Sequence, residues 1–240
     1  MNLSNLFRGA SVRRRVLATF VGLVAGFLAS SVVLVGFVEI VVEDGLMEWS
    51  RRLDATVPLW VRSTFPPWLD LPMRAVTALG YYWVVVPLAL FFAYLFYRRG
   101  LELYAVLLPV SAGGAALLAT FLKYLFQRPR PELFESDYTA SFYSFPSGHA
   151  TIAVAFYGTL ALLVALRLQG WHRWAVLAAG AALALLLGLS RLYLGVHYPT
   201  DILAGYLAAT LWTGAVATVV VFWRPDLALS KASGGNDKPR

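Results

Sequence analysis

The stretch Leu101–Lys123, LELYAVLLPVSAGGAALLATFLK, decides the fold class. Between Leu103 and Leu122 it carries no charge, and Lys123 closes the run. A helix of about 20 apolar residues crosses the roughly 30 Å hydrocarbon layer of a bilayer. Outward from it, comparable runs occupy 16–40, 76–97, 149–168, 172–190 and 202–223, which with 101–122 makes six candidate spans. The composition agrees: of 240 residues 59% are hydrophobic and 14% charged, with a mean hydropathy of +0.66. Soluble domains sit nearer half and a quarter. The expectation is an all-α membrane bundle of six transmembrane helices filling 1–224, with no internal repeat or domain boundary. A disordered cytoplasmic tail over 225–240 follows from its Ser, Gly, Asn and Lys content.

Small-residue patches at Ser111–Ala116 and Ala178–Ala182 predict close helix contacts, which lipid does not drive hydrophobically. The first run, behind Arg13, Arg14 and Arg15, is much longer than a signal-peptide core and reads as an uncleaved span. The 43–75 stretch mixes charges with Met47, Trp49, Leu53, Val57, Trp60 and Phe65 at helical spacing. It predicts a short amphipathic helix in the membrane interface, ended by Pro66-Pro67.

With the N-terminus in the cytoplasm, 12 Lys and Arg fall on inner segments and 8 on outer ones. Positive-inside bias then places both termini inside and the 123–148 and 191–199 loops outside. The formal charge of +7 is spread over span ends, which argues against nucleic acid as a partner. No cysteine is present, so thiolate nucleophiles and Cys-ligated metals are excluded.

Three clusters interrupt the apolar runs, all at one expected end of the bundle: Lys123-YLFQ-Arg128-Pro-Arg130-Pro131, Ser144-Phe-Pro146-Ser147-Gly148-His149, and Ser190-Arg191-LYLGV-His197-YPT-Asp201. Taken singly, each has an ordinary explanation: Lys and Arg snorkel to headgroups, Ser147 caps a helix, and Asp201 favours a helix N-terminus. Taken together they are complementary. Lys123, Arg130 and Arg191 supply cations, and the helix start at Ser147 and Gly148 supplies backbone N–H groups for an anion. Gly148 lets the backbone approach that anion closely. A tetrahedral, multiply charged anion is phosphate. Asp201, four residues after His197, can accept the imidazole Nδ1 proton and leave Nε2 as nucleophile, with His149 as acid–base partner.

These motifs resemble the three signatures of the type 2 phosphatidic acid phosphatase superfamily, which also includes vanadium haloperoxidases, bacterial acid phosphatases and glucose-6-phosphatase. They match in identity, order and spacing over 123–201. The resemblance implies that His197 attacks phosphorus to give a phosphohistidine, Asp201 orients it, and His149 protonates the leaving oxygen and then activates water. Lys123, Arg130, Arg191, Ser147 and Gly148 would hold the phosphoryl oxygens, with Ser190 and Pro146 supporting. Arg128 lies outside the signatures, with a second phosphate or a headgroup as its expected contact. No metal or other cofactor is implied, and the loop acids Glu132, Glu135 and Asp137 read as solvated.

The function expected is hydrolysis of a lipid phosphate or diphosphate at the extracytoplasmic face of a bacterial inner membrane. The implied partners are that lipid and the membrane, with no obligate protein partner. Undecaprenyl diphosphate, phosphatidylglycerol phosphate and phosphatidic acid are the candidate substrates. The alternatives are a phosphotransferase using the same phosphohistidine, a non-catalytic phospholipid binder or transporter, and, more remotely, a vanadate-dependent oxidase.

Overall fold

The computed structural model describes residues 3–39, 48–134 and 137–223, with side chains placed for 17–39, 48–134 and 137–219. The 43–47 part of the amphipathic stretch, Glu135 and the 225–240 tail lie outside the described residues. Eight helices follow in order: α1 (Leu3–Val38), α2 (Glu48–Thr64), α3 (Asp70–Ala78), α4 (Tyr82–Arg98), α5 (Glu102–Phe126), α6 (Gly148–Ala165), α7 (Gly170–Tyr193) and α8 (Pro199–Trp223), with a 3₁₀ turn at Pro67–Leu69. No strand occurs among the described residues.

Five helices (α1, α5, α6, α7 and α8) are long and apolar enough to span a bilayer. The sixth candidate span is a bent pair, Pro67–Ala78 with Tyr82–Arg98, broken by 47°. This corrects the continuous 76–97 helix read from the sequence. At the break, Gly80 leaves room for His149, since an added Cβ would sit 2.3 Å from its Cδ2. The Leu79 carbonyl freed by the break accepts a hydrogen bond from Tyr157 (2.7 Å), on a π-helical segment of α6 at Ala153–Gly158.

α8 lies against α1, α5 and α6, and the main core gathers Leu34, Leu108, Leu118, Phe156, Ala208 and Trp212. The small-residue patches pack as expected on one side: a Cβ at Gly114 would lie 2.1 Å from Trp212, and one at Gly180 2.5 Å from Ala161. The other side of the first patch, at Gly113, faces open space. Leu90, Phe91, Leu117 and Leu185 are exposed on the outside of the bundle, as for helices whose outer solvent is lipid.

α2 is amphipathic, and the face it turns to the bundle is partly polar. Ser50, Asp54, Pro58 and Val61 are buried, while Trp49 and Trp60 point outward. The helix ends at Thr64, just before Pro66-Pro67.

Candidate active site

All three sequence clusters meet at one end of the bundle. α7 closes in a Schellman motif: Val196 N–H donates to Arg191 O (3.2 Å) and Gly195 N–H to Leu192 O (3.0 Å). Gly195 takes the required positive φ of 73°. This tight turn keeps Arg191 in the last turn of α7 and brings His197 beside it, two residues before Pro199 opens α8. His197 Nδ1 then lies 3.4 Å from Asp201 Oδ2, whose position the Tyr198 amide also fixes (2.9 Å). His197 Nε2 lies 3.3 Å from Arg130 Nη1.

The Lys123–Pro131 segment is turned by Gln127, which caps α5 in the left-handed conformation at φ 47°. Beyond that cap, Arg128 and Arg130 separate. Arg130 reaches the site, donating to the carbonyls of Val196 (2.7 Å), Phe142 (2.9 Å) and Ser141 (2.7 Å). Lys123 Nζ donates to Tyr143 O at 2.7 Å. Arg128 turns instead to Asp54 and Asp201, at 2.7 Å each, away from the phosphate or headgroup expected for it.

In the second cluster Ser147 is the N-cap of α6, its hydroxyl accepting from Ala150 N–H and its own N–H donating to Asp201 O (2.9 Å). The Phe145–Pro146 bond is cis. A Cβ at Gly148 would meet nothing within 4 Å, so that helix start is open to a ligand. Ser190 bonds back to Leu187 O within α7 (2.7 Å) and sits behind the cradle.

Arg191 is 2% exposed. One of its nitrogens donates to Thr77 Oγ1 (2.6 Å) and the Tyr138 hydroxyl (3.0 Å), while its Nε has no partner. His149 Nε2 is likewise buried without a partner. Buried donors and acceptors are nearly always satisfied, so two orphans at one site mark where a ligand belongs. Asp54, Thr77, Tyr138 and Gly80 are contributors the sequence reading missed. Only Gly80, interrupting an apolar run, left a local signal.

The electrostatics favour an anion and a neutral His197 imidazole. Burial first, then Arg191, Arg130 and Lys123, hold the His197 imidazole well below its ordinary value. Burial and Arg191 together lower Arg130 to about 10. An anion placed among these cations would relieve such mutual repulsion. Beside the cradle lies a cavity of about 530 Å³ between α4 and α5. Lys123, Gly148 and His149 line it, and its walls are Val85, Ala89, Leu90, Ala112, Gly113 and Ala116.

A family model described as the PAP2 superfamily matches residues 104–225. Phosphatidylglycerophosphatase B of Bacillus subtilis (strain 168) is 34% identical over 144 residues, 58% of this chain and 70% of the relative. A lipid A 1-phosphatase of Rhizobium johnstonii is 37% identical over 131 residues, 50% of this chain, which spans about half (49%) of that relative's length. Among solved structures, a transmembrane PAP2-type phosphatidylglycerolphosphate phosphatase from Bacillus subtilis superposes with a TM-score of 0.67 at 28% identity, covering 82% of this chain and 94% of that one. With a family match over half its length and a one-third-identical relative mostly covered, the chain belongs to the PAP2 superfamily.

Proposed function

We propose that this PAP2 phosphatase hydrolyses the terminal phosphate of a membrane lipid, a monoester or a diphosphate, through a phosphohistidine at His197 and at the extracytoplasmic face. The observation that carries the reading is the apolar cavity ending on the unpartnered Nε2 of His149. A lipid chain fits such walls, and its phosphate would then lie at Lys123 and the open start of α6.

The chemistry proceeds in two displacements. The Nε2 lone pair of His197 attacks phosphorus while the bond to the leaving oxygen breaks, and protonated His149 gives that oxygen its proton. Water next attacks phosphorus, His149 takes its proton, and the P–N bond breaks to release phosphate. Arg130, Arg191, Lys123 and the Gly148 amide stabilise charge on the equatorial oxygens. Asp201 holds the imidazole tautomer and balances its developing charge.

The test is turnover by the purified protein on a panel: phosphatidylglycerol phosphate, phosphatidic acid, undecaprenyl diphosphate and water-soluble glycerol phosphate, with and without EDTA. Lipids should be cleaved far faster than glycerol phosphate, and chelation should leave the rates intact. Loss of all activity on chelation, restored by magnesium, would overturn the metal-independent mechanism. Equal rates on glycerol phosphate would overturn the lipid assignment. Phosphate transfer to an acceptor lipid instead of water would support the phosphotransferase reading.

A further inference from the structure

Arg128 belongs to no part of the cradle, yet it lies at the centre of a charge network. Its Nη1 donates to Asp201 Oδ1 (2.7 Å) and Thr200 Oγ1 (2.8 Å), and its Nη2 to Asp54 Oδ2 (2.7 Å). Asp54 in turn accepts from the Thr200 amide (3.1 Å) and hydroxyl (2.7 Å). The Tyr198 ring covers the guanidinium, 4.2 Å from its carbon. Asp201 is fully buried and Asp54 is 7% exposed. The two oxygens of Asp201 therefore face opposite ways: Oδ2 toward His197, Oδ1 toward Arg128.

We infer that Arg128 and Asp54 are positioning residues for the phosphoryl transfer, forming a relay that runs from α2 through Arg128 to Asp201 and fixes the carboxylate that orients His197. This rests on the reading of His197 as nucleophile. A carboxylate stripped of water needs a partner to stay charged, and Arg128 supplies it from the side that leaves Oδ2 free for the imidazole. Asp54 holds the guanidinium from behind and ties the α8 N-terminus to the same point. Its place on the inward face of α2 explains why that face carries an acid. The amphipathic helix thereby becomes part of the catalytic apparatus and not only an interfacial float. Outer residues that orient metal ligands are worth about 10- to 100-fold in affinity or activity, and a loss of that order is expected here by analogy.

The experiment uses full-length protein and a two-step kinetic comparison. Wild-type turnover and its loss in His197→Ala first establish the nucleophile, so failure there rejects the functional reading and not the relay. Arg128→Met should then lower kcat about 100-fold while KM and the inhibition constant of inorganic phosphate move less than about 3-fold. Arg128→Lys should recover part of the rate, and Asp54→Asn should show a smaller loss of the same kind. In an Asp201→Asn background, Arg128→Met should cost little further, because the relay has already lost its end point. Should Arg128→Met fail to fold, Arg128→Lys and Asp54→Asn provide the same comparison with Asp201→Asn. A rise in KM and in the phosphate inhibition constant at constant kcat would make Arg128 a substrate ligand and overturn the inference. Multiplicative losses with Asp201→Asn would equally overturn it.

Discussion

At the residue scale, the centre of the proposed chemistry is the His197 side chain, pinned between Asp201 and Arg130. His197→Ala should abolish phosphate release with insertion intact, since it removes the proposed attacking nitrogen. Asp201→Asn keeps the attacking nitrogen but lets the tautomer reverse, so a residual rate about 10³- to 10⁴-fold down is expected. Retained turnover in His197→Ala would refute the covalent route. A pH effect on stability follows from the same side chain. Burial, then Arg191, Arg130 and Lys123, hold its folded value well below the ordinary 6.5. Below pH 6.5 the unfolded chain binds a proton that the folded chain refuses. The stability it contributes is thus full above that pH and is lost as pH falls toward the folded value. The thermal midpoint of phosphate-free protein should decline from pH 7.5 to 5.5, less steeply in His197→Gln; equal slopes would clear His197 as the source. That the three clusters belong together was legible in the sequence because complementary residue types recur at motif spacing, and the bundle brings them to one end. The partners of Arg128 were not, because Asp54 lies 74 residues away and its neighbours read as an ordinary interfacial helix.

At the scale of elements, spans announce themselves by length and hydropathy, so five of the six apolar runs appear as single helices. The sixth was misread because a glycine inside an apolar run is compatible with a helix. What demands it is His149, far along the chain and pressed onto Gly80. Gly80→Ala should therefore displace the imidazole, lowering kcat and costing about 1–3 kcal/mol of stability. The cavity gives a cleaner element-scale test. Gly113 lies on the cavity side of α5 with nothing within 4 Å of an added Cβ. Gly113→Leu should raise helix propensity by about 1 kcal/mol while filling the space proposed for a lipid chain. KM for a long-chain lipid phosphate should rise about 10-fold, the cost of losing apolar burial worth 1–2 kcal/mol. A short-chain soluble phosphate should be processed unchanged. Equal effects on both would remove the cavity as the chain's seat.

At the scale of the whole molecule, both ends of the bundle carry exposed aromatic rings: Trp49, Trp60, Trp68, Tyr82 and Trp83 at the site end, Tyr97, Trp171 and Trp174 at the other. Such belts mark two interfaces but not their sidedness. Sidedness rests on charge. The 12-to-8 bias of the sequence becomes 12 to 5 once Lys123, Arg130 and Arg191 are assigned to phosphate. Three of the remaining site-end cations are tied to acids: Arg52 to Glu48, Arg62 to Asp70, and Arg128 to Asp54 and Asp201. Each thus has a partner at that end, which leaves Arg51 and Arg74 there against Arg98, Arg99, Arg167 and Arg173 among the described residues at the other. The active site is therefore expected outside and the helix-connecting turns at 99–101 and 166–169 in the cytoplasm. The chain has no cysteine, so single substitutions report without background. In intact cells Thr139→Cys, exposed beside the site, should react with an impermeant maleimide. Gln169→Cys, exposed at the opposite end, should react only after permeabilisation. The reverse pattern would put the phosphatase site in the cytoplasm and exclude lipid carriers of the outer leaflet as substrates.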